Sequence, residues 1–188
     1  MNGVTSIRRA LREEFIIFCE ADDDTGIFDQ VDAFVKRSRN NETVQKVILW
    51  IPFIDPGDDA SGNRDRYAIW EKIAKGIGNF QALREIAIEH SDYVNDEWEV
   101  LVPDWEILAC ILRRLRQGIK LCMQDDAPLP WDTGAMQVLA GVIHGQPVIT
   151  GYSTGADFNF HCLDILCSAL LTLPALEMLV SSSLLAKA

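Results

Sequence analysis

The sequence predicts an α/β solenoid, in which repeated helix-strand units place a parallel sheet on the concave side and helices on the convex side. Two observations predict this fold. Four apolar octets of helical period align without gaps, and a short strand candidate follows each of them. The octets are WEKIAKGI from Trp70, WEILACIL from Trp105, MQVLAGVI from Met136 and LDILCSAL from Leu163, with a looser fifth, FDQVDAFV, from Phe28.

Each octet is expected to supply the buried side of one helix. Its first residue is large and apolar, and its fourth and eighth residues are apolar, so these three positions share one helix face. Successive octets start 42, 35, 31 and 27 residues apart, and spacings of this size are typical of repeat proteins built from helix-containing units.

Helix boundaries follow from capping residues. Asp104 and Asp132 precede two octet helices, and Asp65 stands near the start of another, where a carboxylate can accept free backbone amides. The turn-rich segment 56–64 is predicted to be a loop that lengthens the second unit. Helix stops follow at Gly78-Asn79, Gly118, Gly145 with Pro147, and Pro174.

Short apolar runs of β-branched and aromatic residues mark the strands. An additional strand is predicted at 15–19, after a capping helix over 5–14, and the alternative is one continuous helix through Cys19. The chain then reads as a single domain over 1–188, with an N-terminal capping segment at 1–26 and about five repeat units over 27–182. The repeat strands are predicted at 47–51, 84–89, 119–123, 148–152 and 176–180.

One strand carries a family signature: Leu83, Ile86 and Ile88 have the L-x-x-L-x-L spacing of leucine-rich repeats. With the segments DWEILACILRRLRQGIKL, IHGQPVITGYSTG and LDILCSALLTLPALEML, the chain resembles a leucine-rich repeat protein of the ribonuclease-inhibitor type, in particular a group abundant in microalgae. The resemblance covers residues 29–180. It implies the solenoid architecture and transfers no catalytic motif, and the chain departs from the ideal repeat in lacking the consensus Asn after each strand.

Composition narrows the functional class. The chain has 28 acidic and 17 basic residues, a formal charge of -11, and phosphate backbones repel such a surface, so nucleic-acid binding is disfavoured. Five cysteines, an odd number, and no apolar signal segment favour reduced thiols in the cytoplasm. The longest apolar stretch, 163–186, is interrupted by Asp164, Pro174 and Glu177, so no membrane segment is expected.

The motif Gly151-Tyr152-Ser153-Thr154-Gly155 has the G-x-S-x-G pattern of a hydrolase nucleophile elbow. An elbow requires a helix that starts at the serine, whereas 156–162 intervenes here, and His161 is the only histidine downstream. A turn from strand to helix is therefore favoured over a catalytic Ser153.

Other chemical motifs also favour structural interpretations. The triplets that begin at Asp24 and Asp132 resemble aspartic-protease motifs, but their context favours helix capping. A calcium-like loop at Asp22 has Ala33 where a bidentate Glu is required, and the cysteines lack zinc spacing. No metal and no cofactor are expected.

The surface is the remaining candidate for function. In a solenoid, the strand-to-helix loops share one edge, which is acidic here, and the opposite edge, at the helix C-termini, is basic. These charges either serve their own helices or steer a basic partner. Alternation along the strands places Val47/Leu49, Ile86/Ile88 and Leu121/Met123 on the inward face. On the opposite, concave face, Trp50 and Tyr152 are candidate anchors, although Tyr152 fits the core equally well. The predicted partner-binding residues are Trp50, Glu89, Lys120, Tyr152, Asp92, Asp125 and Asp126.

The sequence thus predicts a non-enzymatic protein-interaction scaffold with an unidentified protein partner, for which a basic protein is one candidate. Two alternatives stay open. One is a small serine hydrolase that uses Ser153, and the other is a segment of a longer repeat array, because the last strand is followed by a poor polar cap, SSSLLAKA.

Overall fold

The structure is a computed structural model that describes residues 8–10, 14–18, 27–39, 41–51, 53–54, 60–90, 102–103, 105–123, 133–155 and 158–181. Helices and strands alternate along the chain. In order they are β1 Arg8–Ala10, β2 Glu14–Phe18, α1 Ile27–Ser38, β3 Lys46–Ile51, β4 Phe53–Ile54, α2 Ala60–Ile77, β5 Glu85–His90, β6 Val102–Pro103, α3 Glu106–Arg114, β7 Ile119–Met123, α4 Thr133–Ile143, β8 Ile149–Thr154, α5 Phe160–Leu170 and β9 Met178–Ser181.

Seven strands form one sheet in the order β1-β2-β3-β5-β7-β8-β9. β1 is antiparallel to β2, and every later pair in this sheet is parallel. Strands β4 and β6 form a separate antiparallel pair that the sequence did not predict. The predicted α/β class, with a parallel sheet whose strands alternate with helices, is confirmed.

One face of the sheet packs against the helices. Val47 and Leu49, Ile86 and Ile88, and Leu121 and Met123 are all buried and belong to the same core cluster as the helix residues. The predicted inward face of β3, β5 and β7 is therefore confirmed. The first, fourth and eighth residues of the octets from Trp70, Trp105 and Met136 are buried as well.

The last unit departs from this pattern at its outer side. Leu163 is only partly buried, and Leu179 is 56% exposed although it continues the inner row of the sheet. Among the described elements, helix α4 packs on one side of α5 and strand β8 pairs with one side of β9. Leu163 and Leu179 therefore lack the second neighbour that buries their counterparts in the other units.

Three predictions of local structure are wrong, namely the helix over 5–14, the loop over 56–64 and the position of Asp65 near the start of a helix. Strands at Arg8–Ala10 and Glu14–Phe18 contradict the predicted helix over 5–14. The apolar run after Glu14 pairs with β3, and Arg8–Ala10 pairs with that run in turn. The loop over 56–64 is contradicted from Ala60 onward, where α2 already begins, because adding a residue to an existing helix forms one hydrogen bond per residue fixed. Asp65 consequently lies inside α2, and residues 56–59, Asp104 and Asp132 lie outside the described residues.

Two glycines provide a matched test of the core. A Cβ at Gly76 in α2 would lie 2.8 Å from Cδ1 of Phe34 and closer still to Cε1, whereas a Cβ at Gly141 in α4 meets nothing within 4 Å. Phe34 cannot swing away easily, because it is buried and packs edge-on against Phe80 at 6.1 Å.

We expect Gly76→Ala to lower the free energy of unfolding by about 1–3 kcal/mol through overpacking. Gly141→Ala should raise it by up to about 1 kcal/mol through helix propensity. Chemical denaturation of both variants measures the difference, and equal midpoints would show that α1 and α2 do not pack as described.

Candidate interaction surface

The face of β3, β5, β7 and β8 that points away from the helices is here called the open face. Its buried apolar residues, Ile48, Ala87 and Cys122, form a cluster of their own that contains no helix residue. The five helices contribute their buried residues to the other cluster. The described helices therefore leave this side of the sheet uncovered.

A row of three charged residues crosses the open face. Parallel register aligns Lys46 of β3 with Glu85 of β5, and Glu85 with Lys120 of β7. The Glu85 carboxylate forms ion pairs with both ammonium groups, with Oε1 at 3.4 Å from Lys46 Nζ and Oε2 at 3.8 Å from Lys120 Nζ. Their side chains are 23%, 26% and 30% exposed, so the row is neither core nor free surface.

This row is held in place by its own charges. Two lysines share the Glu85 carboxylate, and the register aligns Glu14 of β2 with Lys46 as well. Partly exposed pairs of this kind contribute about 0.2–1 kcal/mol each to stability, so their main effect is to fix the three side chains in one arrangement. A partner that binds the row meets side chains that have already lost much of their freedom.

The next row of the open face contains Ile48, Ala87, Cys122 and Ser153, which are aligned across four strands. The Cys122 Sγ and the Ser153 Oγ lie 2.7 Å apart, within hydrogen-bond distance. Ser153 lies inside β8, so the prediction that it belongs to a turn is wrong. Helix α5 begins only at Phe160, where the Asn159 side chain accepts the Cys162 amide, so Ser153 does not occupy a strand-to-helix elbow.

The structure describes only some of the predicted partner-binding residues. Lys120 lies on the open face, as predicted, and its contact with Glu85 was not foreseen. Glu89 is partly buried in β5 and is aligned with Trp50 of β3. The Trp50 side chain is outside the described part of the structure, as are Asp92, Asp125, Asp126 and the other acidic residues of the strand-to-helix loops, namely Asp22–Asp24, Asp55, Asp58, Asp59, Asp96, Glu97, Glu99 and Asp157.

Tyr152 is not on the open face, so the prediction of a surface anchor is wrong and the alternative, a core residue, is confirmed. It is fully buried and aligned with Leu121 on the inner face. The register shifts between Ile119 and Lys120, which makes Thr150 an extra residue in β8 and reverses the alternation beyond it. Strict alternation from Ile149 could not predict this bulge.

The Tyr152 phenol is buried without a hydrogen bond. Burial raises its pKa far above the usual range, and the Thr154 side chain opposes that rise without reaching hydrogen-bond geometry. A buried hydroxyl without a partner loses its hydration and gains little in return.

Lys46 and Glu85 are open-face residues that sequence reasoning missed. A signal was available, because Lys46, Glu85 and Lys120 each lie at or next to the start of a predicted strand. Aligning the strand starts would have paired their opposite charges. Cross-strand pairs of opposite charge are a recognised source of sheet stability.

Cys110, Cys122, Cys162 and Cys167 are free thiols. Within the described ranges, no group of three or more histidine, cysteine or acidic residues is arranged to hold a metal ion. No helix in the same ranges has the length and apolar character needed to cross a membrane.

Comparison with known proteins does not indicate a function for this surface. No family model matches the chain, and no curated protein or solved structure matches it. The likeness to leucine-rich repeat proteins therefore rests on the sequence segments alone and stays a prediction.

Replacing Tyr152 tests its burial. We expect Tyr152→Phe to change the free energy of unfolding by less than about 1 kcal/mol, in the stabilising direction, because it removes a buried hydroxyl without a partner. Tyr152→Ala should cost about 3–5 kcal/mol, as for other large aromatic side chains in cores. Urea denaturation measures both, and a small loss for Tyr152→Ala would place the ring on the surface instead.

Proposed function

We propose that the chain is a leucine-rich-repeat-like solenoid and acts as a non-enzymatic protein-interaction scaffold in the cytoplasm. The observation that carries the proposal is the prearranged row of Lys46, Glu85 and Lys120 on a sheet face that no described helix covers. The row supplies charged groups for recognition.

Two features of connectivity support the solenoid. The strands follow one another across the sheet in chain order, and each helix packs against the helix of the adjacent unit. All the buried apolar residues of the described helices except Ala135 belong to one core cluster with the inner face of the sheet. A sheet on the concave side and helices on the convex side is the arrangement that repeated units of this kind adopt when they stack.

The proposed contact region runs along the open face from the Lys46–Glu85–Lys120 row, which lies at the strand N-termini, to the strand C-termini. Trp50 and Glu89 are aligned there on adjacent strands, and the loops that follow carry Asp92, Asp125 and Asp126. An aromatic anchor together with acidic residues that follow the strands in sequence suits a basic protein partner, because the acidic residues would raise its rate of association and the anchor would slow its release.

Affinity capture from the native lysate tests this surface. We expect Trp50→Ala to weaken a captured partner by about 30-fold or more if Trp50 is an energetic centre of the interface. Asp125→Lys combined with Asp126→Lys should weaken it chiefly at low salt, because charge steering is screened as ionic strength rises.

Lys72→Glu is the control for these variants. Lys72 pairs with Asp32 at 2.8 Å between α2 and α1, on the helical side of the molecule. Quantitative mass spectrometry of the captured proteins gives the readout at both salt concentrations. If Trp50→Ala and the double reversal retain every partner that the wild type captures, neither Trp50 nor the Asp125–Asp126 pair is a contact site.

A non-enzymatic role also predicts that Ser153 is inert toward activated phosphonates. We expect no labelling by a broad fluorophosphonate probe, because Ser153 lies within β8 and its hydroxyl contacts a thiol. A known serine hydrolase labelled in parallel controls for the probe. Labelling of the wild type that disappears in Ser153→Ala would support the hydrolase alternative instead.

A further inference from the structure

Four of the described loops that lead from a helix to the next strand lie side by side and are here called the loop edge, comprising residues 39, 41–45, 78–84, 115–118 and 144–148. The fifth loop, 171–177, carries Glu177 and is not part of this surface. Backbone hydrogen bonds join successive loops. Arg84 N donates to Gln45 O at 2.8 Å, Lys120 N donates to Arg84 O at 2.7 Å, and Ile119 N donates to Val148 O at 2.8 Å. The Gln117 side chain adds a bond to Phe80 O at 2.7 Å. Hydrogen bonds therefore hold the loops of this edge together.

The loop edge is basic in a protein that is strongly acidic. In sequence, Glu42 is the one acidic residue of these four loops, while the whole chain carries a formal charge of -11. The basic residues of the loop edge and of the helix ends beside it are all exposed. They are Lys36, Arg37, Arg39, Lys75, Arg84, Arg113, Arg114 and Arg116.

Most of these cations have a structural role within the chain. Lys36, Arg37 and Lys75 lie in the last turns of α1 and α2, where they complement the helix dipoles. Arg113 and Arg114 both pair with Glu71 of α2, and the hydrogen bond from Arg114 lowers the pKa of the Glu71 carboxyl.

Arg84 and Arg116 have no comparable role. Arg84 lies seven residues beyond Ile77, the last residue of α2, and Arg116 lies two residues beyond the end of α3, so both are outside the helices. Neither forms an ion pair within the described ranges, and the Arg84 guanidinium makes only a long hydrogen bond of 3.4 Å to the neighbouring Leu83 carbonyl. The loops that carry them are nevertheless held in place by the hydrogen bonds described above.

We propose that the loop edge binds an acidic segment of a protein partner, with Arg84 and Arg116 as its principal carboxylate contacts. A guanidinium presents paired donors that match both oxygens of an Asp or Glu side chain. The surrounding lysines and arginines make the local potential positive. A short acidic segment needs only this local potential, whereas a long polyanion such as a nucleic acid would also meet the repulsion of the chain's net negative charge.

This surface is distinct from the open face and from the acidic loops, and it selects a partner of the opposite charge. The inference does not rest on the proposed function, because the loops and their arginines are present whatever binds the open face. Trp50→Ala distinguishes the two proposals, because it should weaken the partner of the open face and leave binding at the loop edge unchanged.

Fluorescence anisotropy with a labelled twelve-residue peptide of alternating Glu and Ser tests the proposal on the full chain. We expect the peptide to bind at low salt and to weaken toward about 0.15 M salt. Arg84→Gln and Arg116→Gln should each raise the Kd about three- to tenfold, the range expected for one charge-assisted hydrogen-bonded contact. Lys72→Gln removes the same charge from the helical side and should leave the Kd within twofold of the wild type.

Three results would overturn the proposal. The first is an unchanged Kd in both arginine variants, and the second is an equal rise of the Kd in Lys72→Gln, which would indicate a response to net charge alone. The third is an oligonucleotide of twelve thymidines that binds as tightly as the peptide and is weakened by the same arginine variants, because the site would then prefer phosphate.

Chemical-shift perturbation of the backbone amides of the wild-type chain tests the binding site even if a variant unfolds. Titration with the acidic peptide should shift the amides of residues 41–45, 80–84 and 115–118, while a Gln-for-Glu peptide should shift none of them. Shifts confined to the open face or the helical surface would contradict the assignment.

Discussion

The parallel register of the central strands is the constraint on which the rest of the molecule depends. Val47, Ile86, Leu121 and Tyr152 form one inner row across four strands, and all four are fully buried under the helices. Successive strand residues point to opposite faces, so a slip of one residue would expose this row and bury charged residues in its place. Burial of the row strongly favours one register.

The same register arranges the polar surfaces. Because the inner row is aligned, Lys46, Glu85 and Lys120 are aligned on the other side, where opposite charges meet across adjacent strands. The loops before the strands are aligned as well, which brings Arg84 within hydrogen-bond distance of Gln45 on one side and Lys120 on the other. The open face and the loop edge are thus consequences of how the core packs.

Repeated connections in one direction also separate charge. Each unit enters its strand from a helix C-terminus, where basic residues suit the dipole, and leaves it toward a helix N-terminus, where acidic residues do. Because the units stack in chain order, the basic residues at successive helix C-termini lie along one edge. In the sequence, acidic residues follow the strands. In a protein of net charge -11, the described basic residues of these loops and helix ends are therefore gathered at one edge.

Local pattern by itself determined the five described helices, the strands β3, β5, β7, β8 and β9 and the inward face of β3, β5 and β7, because burial imposes a period that each segment carries in its own residues. Tertiary contacts decided what no single segment encodes. The bulge at Thr150 that buries Tyr152 depends on pairing with β7, the strand at Arg8–Ala10 depends on pairing with β2, and the exposure of Leu163 and Leu179 depends on the absence of a second neighbour among the described elements. The Lys46–Glu85–Lys120 row needed both, since the sequence supplied the charges and only the register brought them together.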